Sequence, residues 1–344
     1  MAEFAIDYSD VQCARARIRR HGVEPTPVHR WSAFEERSGI RDLQVYVKCE
    51  NLTAIGAFKI RGALNAVMSL TESEARCGVA THSSGNHGTA VAYAARTRGI
   101  PATVVVPAGA SPQKMDLIRH YGAELVMCEP TQEGREEALA GLVREQGRVP
   151  IHPYDHPAVM AGQGTVADEF LDCVPDLDWL FVPIGGGGLI SGTAVTVRTR
   201  RPQMRLVGVE PEGANDTQRS LEAGVRTKHP APNTLADGLR AFVGALTFPV
   251  IQKWVDQVLT VTEEEIRNGV RWGFEELRLV TEPSAATVLA ALAKTPVPDG
   301  ARVGLILTGG NVDPDLWAGL RKGANPGFLG APPSARWPVQ RAER

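Results

Sequence analysis

The sequence has no apolar run approaching the roughly 20 residues needed to cross a bilayer, and its first residues, Met-Ala-Glu-Phe-Ala-Ile-Asp, lack the basic and apolar regions of a secretory leader. A cytoplasmic protein with no membrane partner is expected. Excess charge of either sign is also missing. With 37 Lys and Arg against 39 Asp and Glu, the formal net charge is -2 and the two signs are interspersed. A nucleic-acid footprint, which needs a basic stripe or patch, is therefore not expected. Cysteine is scarce and unpaired in pattern: Cys13, Cys49, Cys77, Cys128 and Cys173 are odd in number and widely spaced, without the Cys-x-x-Cys spacing of zinc or redox sites. They read as reduced core thiols. No repeat of 20–50 residues suggests a solenoid.

What remains is a chain of 344 residues, 43% hydrophobic, ample for two domains with real cores and a small-molecule ligand. Apolar strands alternate with amphipathic segments. The pattern predicts a helix from about residue 9, an extended stretch at 24–28 enforced by two prolines, and a strand at 44–49. Helices are predicted at 60–70, 87–98, 112–121, 159–173, 191–200, 263–277 and 284–294. Strands are predicted at 102–107, 124–127, 179–184, 205–209 and 303–307. This β-α rhythm implies parallel sheets covered by helices on both faces, with ligands at the carboxyl ends of strands. Residues 326–344, rich in proline and small or charged residues, read as a disordered tail.

Three segments carry chemistry. In Gly-Ala-Phe-Lys-Ile-Arg-Gly (residues 56–62), Lys59 is a cation among apolar neighbours. Desolvation disfavours an ammonium, so a buried Lys59 would hold a lone pair for attack on a carbonyl. In His-Ser-Ser-Gly-Asn-His-Gly (82–88), small residues before a helix expose backbone N–H groups beside hydroxyl and amide donors, suiting a carboxylate or phenolate oxygen. In Pro-Ile-Gly-Gly-Gly-Gly (183–188), four glycines follow an apolar strand and precede a helix, an arrangement that wraps an anion in N–H groups. It matches neither a Walker loop nor the dinucleotide fingerprint. An amine nucleophile plus a phosphate cup imply a cofactor bearing both an aldehyde and a phosphate, pyridoxal 5'-phosphate.

Residues 57–63, 83–88, 185–188 and 308–311 (Thr-Gly-Gly-Asn) resemble, in order and spacing, the motifs of fold type II pyridoxal-phosphate enzymes, and within them the serine racemase and threonine/serine dehydratase family. The resemblance spans about residues 9–325. It implies a tryptophan synthase β-like fold of two parallel-sheet α/β domains with the cofactor between them: a large domain (1–76 and 152–325) and a small mobile one (77–151). It further implies that Lys59 is the Schiff-base lysine, that Phe58 packs near the pyridine ring, that Asn86 bonds the phenolic oxygen, and that Gly185, Gly186, Gly187 and Gly188 hold the phosphate. Thr308 would lie opposite the ring nitrogen and leave it unprotonated, a weaker electron sink. Ser83, Ser84, His87 and Arg135 match the substrate side. Ser84 would face Lys59 across the cofactor plane, which gives racemisation a proton donor on each face. Glu210, Ala214 and Asp216 match a divalent-cation site of hard oxygen ligands for Mg²⁺ or Ca²⁺.

The expected activity is α,β-elimination from a small 3-hydroxy-α-amino acid, such as L-threonine, L-serine or 3-hydroxyaspartate, to a 2-oxo acid and ammonia. Racemisation through Lys59 and Ser84 is the alternative, and a catalytically inactive cofactor-binding sensor ranks below both. The family implies a homodimer. The chain ends soon after its last predicted strand, so the isoleucine-sensing domain of biosynthetic threonine dehydratases is expected to be missing. Three positions depart from the family pattern near the pocket: Ala57 stands where relatives often have serine, residues 53–56 replace a more polar segment, and Tyr154 replaces asparagine or phenylalanine. His152 and His156 are four apart, but Pro153 and Pro157 spoil a helical ligand pair.

Overall fold

The computed structural model describes residues 4–83, 85–110, 112–228 and 231–322. The tail expected at 326–344 and the substrate-side residue Ser84 lie outside these. Ten strands occur among the described residues: β1 (Val28–Arg30), β2 (Gln44–Cys49), β3 (Val79–His82), β4 (Ala102–Pro107), β5 (Glu124–Cys128), β6 (Val149–Pro150), β7 (Trp179–Pro183), β8 (Arg205–Pro211), β9 (Gln257–Val261) and β10 (Arg302–Leu307). They form a six-stranded sheet in the order β1-β2-β10-β7-β8-β9 and a four-stranded sheet in the order β5-β4-β3-β6. Every pairing is parallel except the edge pair β1–β2, which is antiparallel. The expected parallel sheets are thus present, with one antiparallel pair at an edge. β1 and β2 are joined through residues 31–43, which include the helix Ser32–Ser38.

Strands buried on both faces need unbroken apolar runs. Accordingly, Val303, Leu305, Ile306 and Leu307 of β10 and Val104, Val105 and Val106 of β4 are fully buried. The helix Pro157–Cys173 is buried from Val159 to Leu171, as a helix apolar nearly all round must be. It packs against the helices Gly188–Arg200 and Lys59–Met68. Ile60, Ala63, Leu64 and Val67 of the helix Lys59–Met68 enter the core beneath the four-stranded sheet, so Lys59 starts a helix packed against the helices Asn86–Arg98 and Pro157–Cys173.

The expectation of core thiols holds only in part. All five cysteines are free, but Cys13, Cys77 and Cys173 are exposed. Cys13 sits beside, not on, the stripe of Val11, Ala14 and Ile18 that its helix buries.

A charged cluster lies in this core. The Arg61 guanidinium grips Glu50 (Nε–Oε2 2.7 Å, NH2–Oε1 2.9 Å) and Glu169 (NH1–Oε1 2.9 Å, NH2–Oε2 2.7 Å). Lys48 donates to Glu169 at 3.0 Å and to the Thr26 carbonyl at 2.8 Å. The four charged side chains are at most 1% exposed. Two cations and two anions balance, and each carboxylate has at least two partners, the condition under which buried charge is tolerated. Removing Arg61 would leave Glu50 buried with no cationic partner and Glu169 with Lys48 alone. Arg61→Ala is expected to destabilise the cofactor-free protein by about 3–5 kcal/mol, read as a lowered urea midpoint, whereas Arg41→Ala, which breaks only the exposed pair with Asp299, should leave the midpoint in place.

Candidate active site

The turn leading to Lys59 is tied to the carboxyl end of β10. The Thr53 hydroxyl accepts from the Ala57 N–H and donates to the Ala57 carbonyl, both at 2.9 Å. The Phe58 N–H donates to the Thr308 carbonyl at 3.0 Å, and Ala57 bridges to Gly309. Lys59 opens its helix with its Nζ donating to the Pro153 carbonyl at 2.7 Å and lying 5.2 Å from the centre of the Phe58 ring. Burial pushes the ammonium down to about 8, against the opposing pull of Glu282. A large share of the amine is therefore uncharged in mildly alkaline solution.

The glycine loop follows β7. Gly187, in the left-handed region at φ +88°, turns the chain into the helix Gly188–Arg200. Gly186, Gly187 and Gly188 are buried, and none of the N–H groups from Gly185 to Gly188 finds an acceptor among the described residues. Buried unpaired donors are rare. Gathered at a helix N-terminus, they favour an anion. The carbonyl of Gly186 is held from behind by the Gly244 N–H (3.2 Å) and the Thr247 hydroxyl (2.8 Å). The loop and Lys59 share one cleft, because Pro153, which holds the amine, is followed by Tyr154, whose ring lies on Gly186.

Asn86 begins the helix Asn86–Arg98. Its amide nitrogen donates to both oxygens of Glu282 (3.0 and 3.1 Å), and its amide oxygen accepts from Asn311 at 2.8 Å. Ser83 is half-buried, its hydroxyl accepting from the Gly85 N–H at 3.3 Å. His87 is buried, its Nε2 is 3.0 Å from the Ile151 carbonyl, and its Nδ1 has no partner among the described residues. Burial, followed by the nearby Lys59 charge, holds the His87 imidazole well below its usual range, so it is neutral. Thr308 is buried beside Phe58. Arg135 stands apart: its Nε donates to the Thr131 carbonyl of its own helix start at 3.2 Å, and no hydrogen bond joins it to Lys59 or the glycine loop among the described residues. Its charge acts instead on His82, whose pKa burial and then Arg135 depress.

Glu282 is the residue that sequence reading misses. Its position before Pro283 at the start of the helix Pro283–Lys294 reads as an ordinary helix start, yet its side chain makes no cap bond. It is turned into the cleft toward Asn86, and burial pushes its carboxyl up to about 7. A Glu where a cap prefers Asp, Ser or Thr was the available signal.

One strand over from the glycine loop, Glu210 near the carboxyl end of β8 and Asp216 at the start of the helix Asp216–Ala223 are buried together. Glu210 accepts from the Thr217 and Gln218 N–H groups (3.0 and 2.9 Å) and Asp216 from Val243 N–H (2.8 Å). Burial and then the Asp216 charge push Glu210 up to about 8, and burial pushes Asp216 to about 6. Neither is in an ion pair with Lys or Arg among the described residues. No group of three His, Cys, Asp or Glu converges there or elsewhere among the described residues, so a cation would also need the Ala214 carbonyl and water.

A family model described as "Pyridoxal-phosphate dependent enzyme" matches residues 19–309. The chain is 44% identical over 309 residues to the beta-hydroxyaspartate dehydratase of Paracoccus denitrificans, covering 90% of this chain and 97% of that one. It is 43% identical over 313 residues to the serine racemase of Dictyostelium discoideum, covering 90% and 95%. Among solved structures, maize serine racemase superposes with a TM-score of 0.88 at 39% identity, over 93% of this chain and 98% of that one.

The depressed lysine gives a pH signature. Amine-selective arylation of Lys59, followed by peptide mass spectrometry on the cofactor-free protein, should accelerate about tenfold per pH unit and level off above about 8. A Lys59 profile that keeps accelerating toward the value of an ordinary lysine, roughly 10.4, would show that its amine is solvated.

Proposed function

The chain belongs to the pyridoxal-phosphate-dependent enzymes, and on that premise we propose that it is an ammonia-lyase acting on a small 3-hydroxy-α-amino acid. The observation that carries this reading is the shared cleft: an amine that deprotonates near about 8 and a ring of unpaired N–H groups are fixed by adjacent residues, Pro153 and Tyr154. Lys59 would hold the cofactor covalently, Gly185–Gly188 its phosphate, Asn86 its ring oxygen and Phe58 one side of its ring, with Thr308 opposite the ring nitrogen. Pyridoxal phosphate, when bound, supplies the electron sink that makes the α-proton of an amino acid acidic.

The chain's own residues do the rest. Once the substrate's own amine has displaced it, the freed and uncharged Lys59 amine would take the α-proton, and the Pro153 carbonyl fixes where that amine stands. The N–H groups of the 83–88 loop, with Ser83 and Ser84, receive the substrate carboxylate, while His87, neutral and bonded to Ile151, supports that loop from beneath. Arg135, on the helix Gln132–Gln146, would approach the substrate when the smaller domain (77–151) closes over the cleft. The β-hydroxyl would leave as water, carrying a proton equivalent to the one that Lys59 removed, and the enamine released would be hydrolysed by water to a 2-oxo acid and ammonia.

Racemisation is the second reading, favoured by the serine racemases among the relatives. Both outcomes begin with the same proton removal, and a barrier difference of ~1.4 kcal/mol already shifts their ratio tenfold. Glu210, the Ala214 carbonyl and Asp216 fit Mg²⁺ or Ca²⁺: two buried oxygen ligands of like charge lie together without a basic partner. A homodimer and a cytoplasmic location complete the proposal.

With L-serine, L-threonine and both 3-hydroxyaspartate diastereomers as substrates, 2-oxo acid is expected as the main product, and Lys59→Ala should remove it. Full turnover by that variant would sink the mechanism. Ser84→Ala should abolish any D-amino acid while sparing 2-oxo acid from an L-substrate; loss of neither would remove the two-faced assignment. Millimolar Mg²⁺ should raise the thermal midpoint of the wild type by a few degrees, on the order of 1–3 kcal/mol of linkage, and leave Glu210→Gln unmoved.

A further inference from the structure

The glycine at 186 is demanded by a ring as much as by an anion. A Cβ built on Gly186 would fall 2.2–2.3 Å from Cγ, Cδ1 and Cδ2 of Tyr154, and one on Gly188 would fall 2.9 Å from the Tyr154 Cβ. Both glycines are thus pressed by the same residue from the side that a methyl group would occupy. A Cβ on Gly185 would meet no part of Tyr154 among its three nearest atoms, which are the Gly238 carbonyl oxygen at 3.1 Å and Leu239 Cα and Cδ2 at 3.2 and 3.6 Å. The ring is held in turn by its neighbours. His152 Nδ1 accepts from the Asp155 N–H at 2.9 Å and from the Tyr154 N–H at 3.4 Å, closing a tight turn. The Asp155 carboxylate accepts from the Ala245 and Leu246 N–H groups (2.9 and 2.7 Å), and that same stretch holds the Gly186 carbonyl through Gly244 and Thr247. Pro153, between them, holds the Lys59 amine.

We infer that residues 152–155 form a spacer that fixes the distance between the Lys59 amine and the glycine cup, and that the Tyr154 ring is its contact on the cup. Tyr154 is a positioning residue. It acts on the cofactor through Gly186, and its contribution comes from the ring carbons, since the carbons and not the hydroxyl face the glycine. One short segment then sets both ends of the site. A cofactor anchored by an amine at one end and a phosphate at the other binds well only when that span matches its length.

The inference rests on the reading of the chain as a pyridoxal-phosphate enzyme, and a cofactor titration separates the two. Pyridoxal 5'-phosphate is added to the wild type, Tyr154→Phe, Tyr154→Ala, Gly186→Ala and the double variant Tyr154→Ala/Gly186→Ala, and its dissociation constant is read from the visible absorbance of the bound form. Tyr154→Phe should bind within about twofold of wild type, while Tyr154→Ala and Gly186→Ala should each weaken binding about tenfold or more, the equivalent of ~1.4 kcal/mol. In the Tyr154→Ala background the Gly186→Ala change should cost less than about threefold, because the space it needs is then open. Equal losses from Gly186→Ala in both backgrounds would overturn the inference and assign the glycine to the phosphate alone. Loss in Tyr154→Phe as large as in Tyr154→Ala would overturn it through the hydroxyl, and this pair decides the matter if the Gly186 variants fail to fold. A wild type that takes up no cofactor would instead remove the underlying reading.

Discussion

The site depends on a charge balance struck out of reach of water. Arg61, two residues beyond Lys59, is locked between Glu50 and Glu169, with Lys48 completing the neutral set. Glu50 follows β2, Glu169 lies in the helix Pro157–Cys173 and Arg61 in the helix Lys59–Met68. Two neighbouring elements and a third more than 100 residues further on are thereby fixed to one another at one point. Such clusters add little net stability compared with apolar packing, and their distinctive contribution is geometric, because a misplaced partner leaves a bare buried charge. The first turn of the helix carrying Lys59 inherits that rigidity, and β10 adds to it through Phe58 and Thr308.

Around this fixed point the cleft suppresses formal charge. Burial lowers Lys59 and His87 and raises Glu282, so the ionisable groups facing the site all drift toward neutrality near physiological pH. The glycine loop is the exception in sign: its unpaired N–H groups present positive potential without any ionisable side chain. A dianionic phosphate entering the cleft in mildly alkaline solution would therefore find a fixed attraction at one end and an amine with a large uncharged share at the other.

Much of this was legible before any coordinates, for physical reasons. Strands with unbroken apolar runs declare themselves, and β2 and β4 lie at residues 44–49 and 102–107 as the pattern predicts. Four-residue β3 and two-residue β6 are too short to show a period, and the polar helices Ser32–Ser38 and Asp216–Ala223 lack a long apolar stripe. Within the site, Lys59, Asn86 and the glycine loop announce themselves because an amine in apolar company and runs of glycine are costly without a purpose. Glu282 and the Pro153 carbonyl do not. The first is disguised as the start of a helix, and the second is a backbone atom, whose role no side-chain pattern encodes. Tyr154 stands out in sequence as a departure from the family, and only its packing on Gly186 gives the departure a meaning.

The anion cup is made of main chain alone, and this restricts how such a protein can diversify. A pocket lined by side chains can be retuned one substitution at a time, but a pocket of peptide N–H groups offers mutation nothing to exchange. Its donors persist whatever residue is written there, and a side chain at Gly186 is blocked by Tyr154. Heritable change in substrate preference would therefore be channelled away from the glycine loop and its spacer, into the loop that follows β3, where a residue such as Ser83 can vary without disturbing the anchor.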